Sequence, residues 1–183
     1  MSILKKTSTA TIICVVICVL SLILGTHLSA GRQLNKLEDA FTHGVYSKEA
    51  GYTLPSIQQQ LDERYDAAIG IISLIPSELA SDMRSACDML LEAGSISEKA
   101  FANKTLQFAY EDMLLKIDPT FFDERTLGGF NDYCSTMDNA QLLIQRSGYN
   151  EAAAAFEEDI LGSFPLSFLK HIAFVGTPEY FEN

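Results

Sequence analysis

At 183 residues the chain is long enough for one folded domain with a sizeable core. Hydrophobic residues make up 48% and charged residues 20%, which excludes a disordered chain. The net charge is −11, and beyond Lys5 and Lys6 the remaining 11 basic residues face all 24 acidic ones. A surface of that sign repels nucleic acid and anionic lipid head groups, and it excludes nucleic acid as a partner.

Thr7 to Leu28 is a run of 22 residues without Asp, Glu, Lys or Arg. As a helix it spans roughly 33 Å, enough for a hydrocarbon layer of about 30 Å. It reads as a signal anchor, residues 1–29, that holds the chain in the lipid bilayer through residues 7–28. A cleaved signal peptide with a site near Ala30 is the alternative. Its core would be long, and Leu28 is a poor small residue for such a site. Lys5 and Lys6 against the membrane favour the N-terminus inside, with the bulk of the chain, residues 30–183, outside the cytoplasm.

Leu34, Leu37 and Phe41 repeat at helical spacing, which predicts a helix from about Ala30 to Val45 continuing the membrane segment. His43 to Thr53 holds two glycines and reads as a loop. Ser56 with Gln59 forms a capping box for a helix over 56–93, kinked or briefly broken at Pro76. Ser95 with Glu98 opens the next helix, which runs to Asp118-Pro119 with Leu106, Tyr110, Met113 and Ile117 on one stripe. A helix from Asp123 follows, with Phe130, Cys134, Met137 and Ile144 on one face. Gly148 is tolerable inside a helix at about 1 kcal/mol, so 123–163 reads as one rod that Pro165 follows. Period-2 alternation and hairpin turn dipeptides are absent, so no strand is expected. The fold class is all-α: an up-and-down antiparallel four-helix bundle preceded by an N-terminal transmembrane helix.

Candidate chemistry is sparse. His27, His43 and His171 are scattered with no metal-ligand spacing, and no Glu-x-x-His pairs exist for a di-iron site, so no metal or other cofactor is expected. No Gly-x-Ser-x-Gly, phosphate loop or dinucleotide fingerprint occurs. The carboxylate clusters Asp62, Glu63, Asp66 and Glu157, Glu158, Asp159 fall between apolar positions and read as solvated faces rather than acid–base pairs. Arg64 between acids reads as a surface ion pair worth about 0–1 kcal/mol. Asn103-Lys104-Thr105 matches a glycosylation acceptor but sits mid-helix. Cys14 and Cys18 lie in the apolar run. Helical rise brings Cys87 and Cys134 to within about one or two turns in height, and free thiols are expected there rather than a disulfide. Tyr149 and Asn150 form either a polar recognition spot or, for Tyr149, a core position with its hydroxyl at the rim. Leu166 to Val175 is apolar but for Ser167, Lys170 and His171. It either packs on the bundle, lies on the membrane surface or docks a partner.

Two stretches carry a family likeness. Gln60-Leu61-Asp62-Glu63-Arg64-Tyr65-Asp66 is similar to a Gln-Leu-x-x-Arg-Tyr/His-Asp motif. Later, Tyr149-Asn150-x-Ala152, Ser163-Phe164-Pro165 and Tyr180-Phe181-Glu182 follow in the same order and spacing. In these the chain resembles the LemA family of bacterial membrane-anchored helical proteins, over almost its whole length. It departs in having Ile69-Gly70 where that family places a Pro-Asn, and Phe156-Glu157 where a second Tyr-Asn is usual. The resemblance implies a single N-terminal span, an antiparallel bundle and no established enzymatic activity, and it points to a membrane or envelope protein as partner; self-association stays open. Its motif residues, Arg64, Tyr65, Asp66, Tyr149, Asn150, Phe164, Pro165, Tyr180 and Phe181, are the candidate interaction residues.

Overall fold

The computed structural model describes residues 2–47, 51–164, 166–170, 172 and 174–182. Pro165 and His171 therefore lie outside the described residues. The fold is all-α, with a bundle and a long apolar N-terminal helix. It divides into two units: Met1–Glu38 with Ala152–Pro178, and Asp39–Glu151 with Glu179–Asn183.

The first unit is built on α1, Ser2–His43, of which residues to Glu38 belong here. The apolar run and the amphipathic stretch after it are thus one continuous helix, as their spacing predicts. Within Thr9–His43 the helix is long and apolar enough to cross a membrane, and none of its most apolar window is buried. Burial on α1 begins at Ala30 and Leu37. The returning segment opens with α6, Tyr149–Ala155, which widens into a π-helical turn over Phe156–Leu161. Ala153, Phe156 and Leu161 are buried. A short helix, α7, Leu166–Leu169, packs on that turn. The N–H of Val175 then donates to the carbonyl of Lys170 at 3.1 Å, with Phe174 between them at φ 49°. Phe174 thus takes a left-handed conformation that glycine adopts more readily.

The second unit contains a small antiparallel hairpin, β1 Tyr46–Ser47 with β2 Tyr52–Thr53, where only a loop was expected. Four helices follow: α2 Ile57–Leu74, α3 Ser77–Glu92, α4 Ile96–Lys116 and α5 Glu124–Gln145. The stretch 56–93 is not one helix. Ile75 and Pro76 are both extended, at φ/ψ −107°/158° and −56°/143°, and two consecutive extended residues reverse the chain. Leu61 of α2 and Leu90 of α3 consequently line one cleft, which requires α3 to run back along α2. The reversal at Ser95 and the 3₁₀ turn Pro119–Phe121 complete an up-down-up-down bundle. Helix α2 packs along both α3 and α5, and α3 along α4.

Nor is 123–163 one rod. Helix α5 ends at Gln145, and Gly148 takes φ 72°, a left-handed conformation that a helix interior cannot hold. Gly70 has a packing reason: a Cβ there would lie 2.6 Å from the ring of Tyr133 on α5. Cys87 and Cys134 are free, Cys87 buried and Cys134 half-buried.

Helices α2, α4 and α5 start at side-chain caps, whereas α3 starts at Pro76 without one. Ser95 Oγ accepts from the N–H of Glu98, and Glu98 Oε2 accepts from the N–H groups of Ser95 and Gly94, each at 2.9 Å. Asp123 Oδ1 accepts from Thr126 N–H at 2.8 Å, and Ser56 Oγ from Gln59 N–H at 3.0 Å. These bonds stabilise the ionised carboxylates. Glu98, chiefly through the Ser95 N–H, and Asp123, chiefly through the Thr126 N–H, are held below the ordinary carboxylate range. A depressed carboxylate contributes stability above its unfolded pKa and loses it as pH falls through the lower folded value. Denaturant unfolding at a series of pH values should therefore show stability flat near neutrality and falling below the ordinary carboxylate range. Glu98→Gln and Asp123→Asn should each flatten part of that acid slope.

Candidate functional site

The candidate residues fall into three places. The first is inside the bundle. Ile57, Leu61, Arg64, Ala68 and Ile71 recur at helical spacing, and all five are buried. Arg64 is 0% exposed, so it is no surface ion pair. Its Nη2 donates to Gln107 Oε1 at 2.6 Å, and Gln107 Nε2 donates in turn to Glu111 Oε1 at 2.7 Å. Among the described residues, Nε and Nη1 of Arg64 and Oε1 of Gln60 have no hydrogen-bond partner. Burial pushes the guanidinium down to about 10, against the opposing pull of Asp138, Tyr110 and Glu111, so it stays cationic at neutral pH.

Neighbouring levels of the bundle continue this polar layer. Asn103 Nδ2 donates to Gln141 Oε1 at 3.1 Å, and the Tyr110 hydroxyl to the Cys134 carbonyl at 3.5 Å. Burial pushes the Tyr110 phenol well above its ordinary value. Asn103 is 0% exposed, which explains why its glycosylation-like context sits mid-helix: it is a core position.

The second place is a half-open cleft of about 330 Å³ between α2, the end of α3 and the start of α4. Tyr65 and Asp66 line it with Asp62, Gln58 and Lys99 over a floor of Leu61 and Leu90. Asp66 is exposed and Tyr65 half-buried. Asp62 accepts from Gln58 Nε2 at 2.8 Å, and Lys99 Nζ donates to Gln58 Oε1 at 2.6 Å. The cleft thus offers carboxylates, a phenol and a tethered ammonium to a ligand.

The third place brings the later motif residues onto one another. Asn150 Nδ2 donates to the Phe181 carbonyl at 2.8 Å, and the Phe181 N–H donates to Asn150 Oδ1 at 2.9 Å. The amide side chain thereby pairs with the main chain as a neighbouring strand would. The Tyr149 hydroxyl donates to the Glu179 carbonyl at 2.8 Å. Glu179 Oε2 accepts from the N–H and hydroxyl of Ser97, in the first turn of α4, where the helix dipole favours a carboxylate. Phe41 packs on Tyr149 and Phe181 with ring centroids 5.5 and 5.8 Å away, and Lys99 lies over Phe41 at 5.6 Å. Tyr149 and Phe181 are buried and Tyr180 half-buried, so this spot is occupied by the chain's own residues 179–181. Phe164, a further candidate interaction residue, belongs to the other unit and is 89% exposed.

Among the described residues no group of three or more His, Cys, Asp and Glu could hold a metal ion. Sequence reasoning missed Gln107, Gln141 and Ser97 altogether; each acts through a partner at least 38 positions away. No family model, curated protein or solved structure matches the chain.

A buried cation with open donors costs more than an apolar side chain of the same size. In denaturant titrations Arg64→Met should leave stability unchanged or raise it by about 1–4 kcal/mol. Asn150→Ala removes two bonds to one residue and should cost about 1–3 kcal/mol. Hydrogen exchange of residues 179–182 should rise with it.

Proposed function

We propose that the chain is a single-pass, membrane-anchored helical bundle that serves as an interaction module, a divergent member of the LemA type. The carrying observation is α1: Ile12, Ile13, Ile17, Leu20 and Leu24 are all at least half exposed along a helix long enough to span a bilayer. Covering such side chains is worth about 1.5–3 kcal/mol each, and a lipid bilayer is the environment that covers them on every side. In the secreted alternative, cleavage near Ala30 would cut α1 mid-helix at a fully buried side chain, which favours retention.

The LemA resemblance gains a physical rationale from the Asn150–Phe181 pairing, since two motif stretches 31 positions apart meet there. The cleft of Asp62, Tyr65 and Asp66 is the surface the bundle presents to a partner, and its acidic character suits a basic protein surface in the membrane or envelope. Binding rather than catalysis is assigned, because Asp62, Asp66 and Glu157 stand exposed rather than in an enclosed site. Lys5 and Lys6 support an N-terminus inside.

A reporter fused after Asn183, active only outside the cytoplasm, tests this together with a carbonate wash of the membranes. Retention in the membrane with an active reporter is expected. An inactive reporter would reverse the orientation, and release into the medium would remove the anchor.

A further inference from the structure

In the unit that contains the apolar part of α1, a second apolar surface has no cover. Phe164 is 89% exposed, Phe168 72%, Ile172 50% and Phe174 85%. Phe168 lies on α7, with Phe164 before that helix and Ile172 and Phe174 after it. Leu166, Leu169 and Val175 between them are half-buried, so the segment has an inner side against its own unit and an outer apolar side.

Charge marks this segment off from the rest of the chain. From Ile160 to Pro178 there is no acidic residue, in a protein that carries 24, while Lys170 and His171 are present. The overall charge of −11 repels an anionic membrane surface, and this is the longest part beyond α1's apolar run that does not. Position fits as well. A Cβ on Gly176 would lie 3.1 Å from Leu34 Cδ2 on α1. Leu34 is six residues past Leu28, hence about 9 Å along the helix from the end of the apolar run. The backbone at Phe174, φ 49°, is one that glycine takes at no steric cost, yet it presents an exposed aromatic ring.

We propose that Phe164, Phe168, Ile172 and Phe174 form an interfacial membrane contact, inserted at head-group level into the bilayer that α1 spans. The proposal rests on the membrane-anchored reading of α1. It makes the segment a second attachment to the lipid, one that lies in the interface without crossing it.

The chain contains no tryptophan, so single-tryptophan reporters are unambiguous. Phe168→Trp, Phe174→Trp and Ile17→Trp would each be placed in the full chain. The variants would be reconstituted in phosphatidylcholine–phosphatidylglycerol vesicles with lipids brominated at shallow or deep acyl positions. Ile17→Trp, in the middle of the apolar run, reports on the anchor and should be quenched by deep bromines. Phe168→Trp and Phe174→Trp should show blue-shifted emission and stronger quenching by shallow bromines, at a depth of roughly 5–10 Å. Quenching of both by aqueous iodide but not by bromolipid, with Ile17→Trp still quenched, would overturn the interfacial contact and leave the anchor standing. Protection from both quenchers would mean that protein covers the patch, which also overturns it. Loss of quenching at Ile17→Trp would remove the anchor and the contact together.

Discussion

The side-chain amide of Asn150 is the constraint on which the C-terminal half depends. It satisfies both main-chain groups of Phe181, a residue 31 positions away. Between them the chain leaves the bundle unit at Ala152 and comes back at Glu179. These bonds hold the returning residues against the bundle unit. Closing a loop costs little more entropy as it lengthens, so a few well-made bonds at its mouth suffice. Tyr149 and Ser97 add theirs to Glu179, and the rings of Phe41, Tyr149 and Phe181 pack together beside them.

The fold class and most helix starts were legible because their causes are local. Caps such as Ser56, Ser95 and Asp123 act within three residues, and apolar stripes act within two turns. What was not legible is direction. Helical periodicity resumes after Pro76, so the sequence pattern is the same for a kinked rod and for a hairpin. Only the extended conformation of both Ile75 and Pro76 distinguishes them. Gly148 misled for a related reason: a glycine tolerated in a helix and one required at φ 72° look identical in sequence.

The candidate site divides along the same line. The motif residues Tyr149, Asn150 and Phe181 stood out by order and spacing, but that they recognise one another is a long-range fact. Arg64 is the instructive error. Its spacing with Leu61, Ala68 and Ile71 already put it in the core stripe, and its charge outweighed that spacing in the reading. Periodicity was the better guide, since an arginine stem packs like an aliphatic chain. Asn103 shows the same thing, in line with Leu106 and Tyr110 on α4.

Why a bundle should hold a cation at its centre follows from what apolar contacts lack. Burial of Leu, Met and Ala is non-directional, and α2 sliding by one turn against α4 would bury a similar area. The polar pairs do not tolerate such a slip. Gln58 meets Lys99 and Arg64 meets Gln107, which fixes α2 against α4 at two heights in the same sense. Asn103 with Gln141, and Tyr110 with the Cys134 carbonyl, fix α4 against α5 in the opposite sense. Displacing α4 by a turn would break all four pairs and strand the buried groups of Arg64, Asn103 and Tyr110 at once, each at about 1–3 kcal/mol. The layer therefore costs stability through the open donors of Arg64 and returns a single register. The same register holds Lys99 over Phe41 and Ser97 against Glu179, so the alignment of the core and the closure of the C-terminus are set by the same helix, α4.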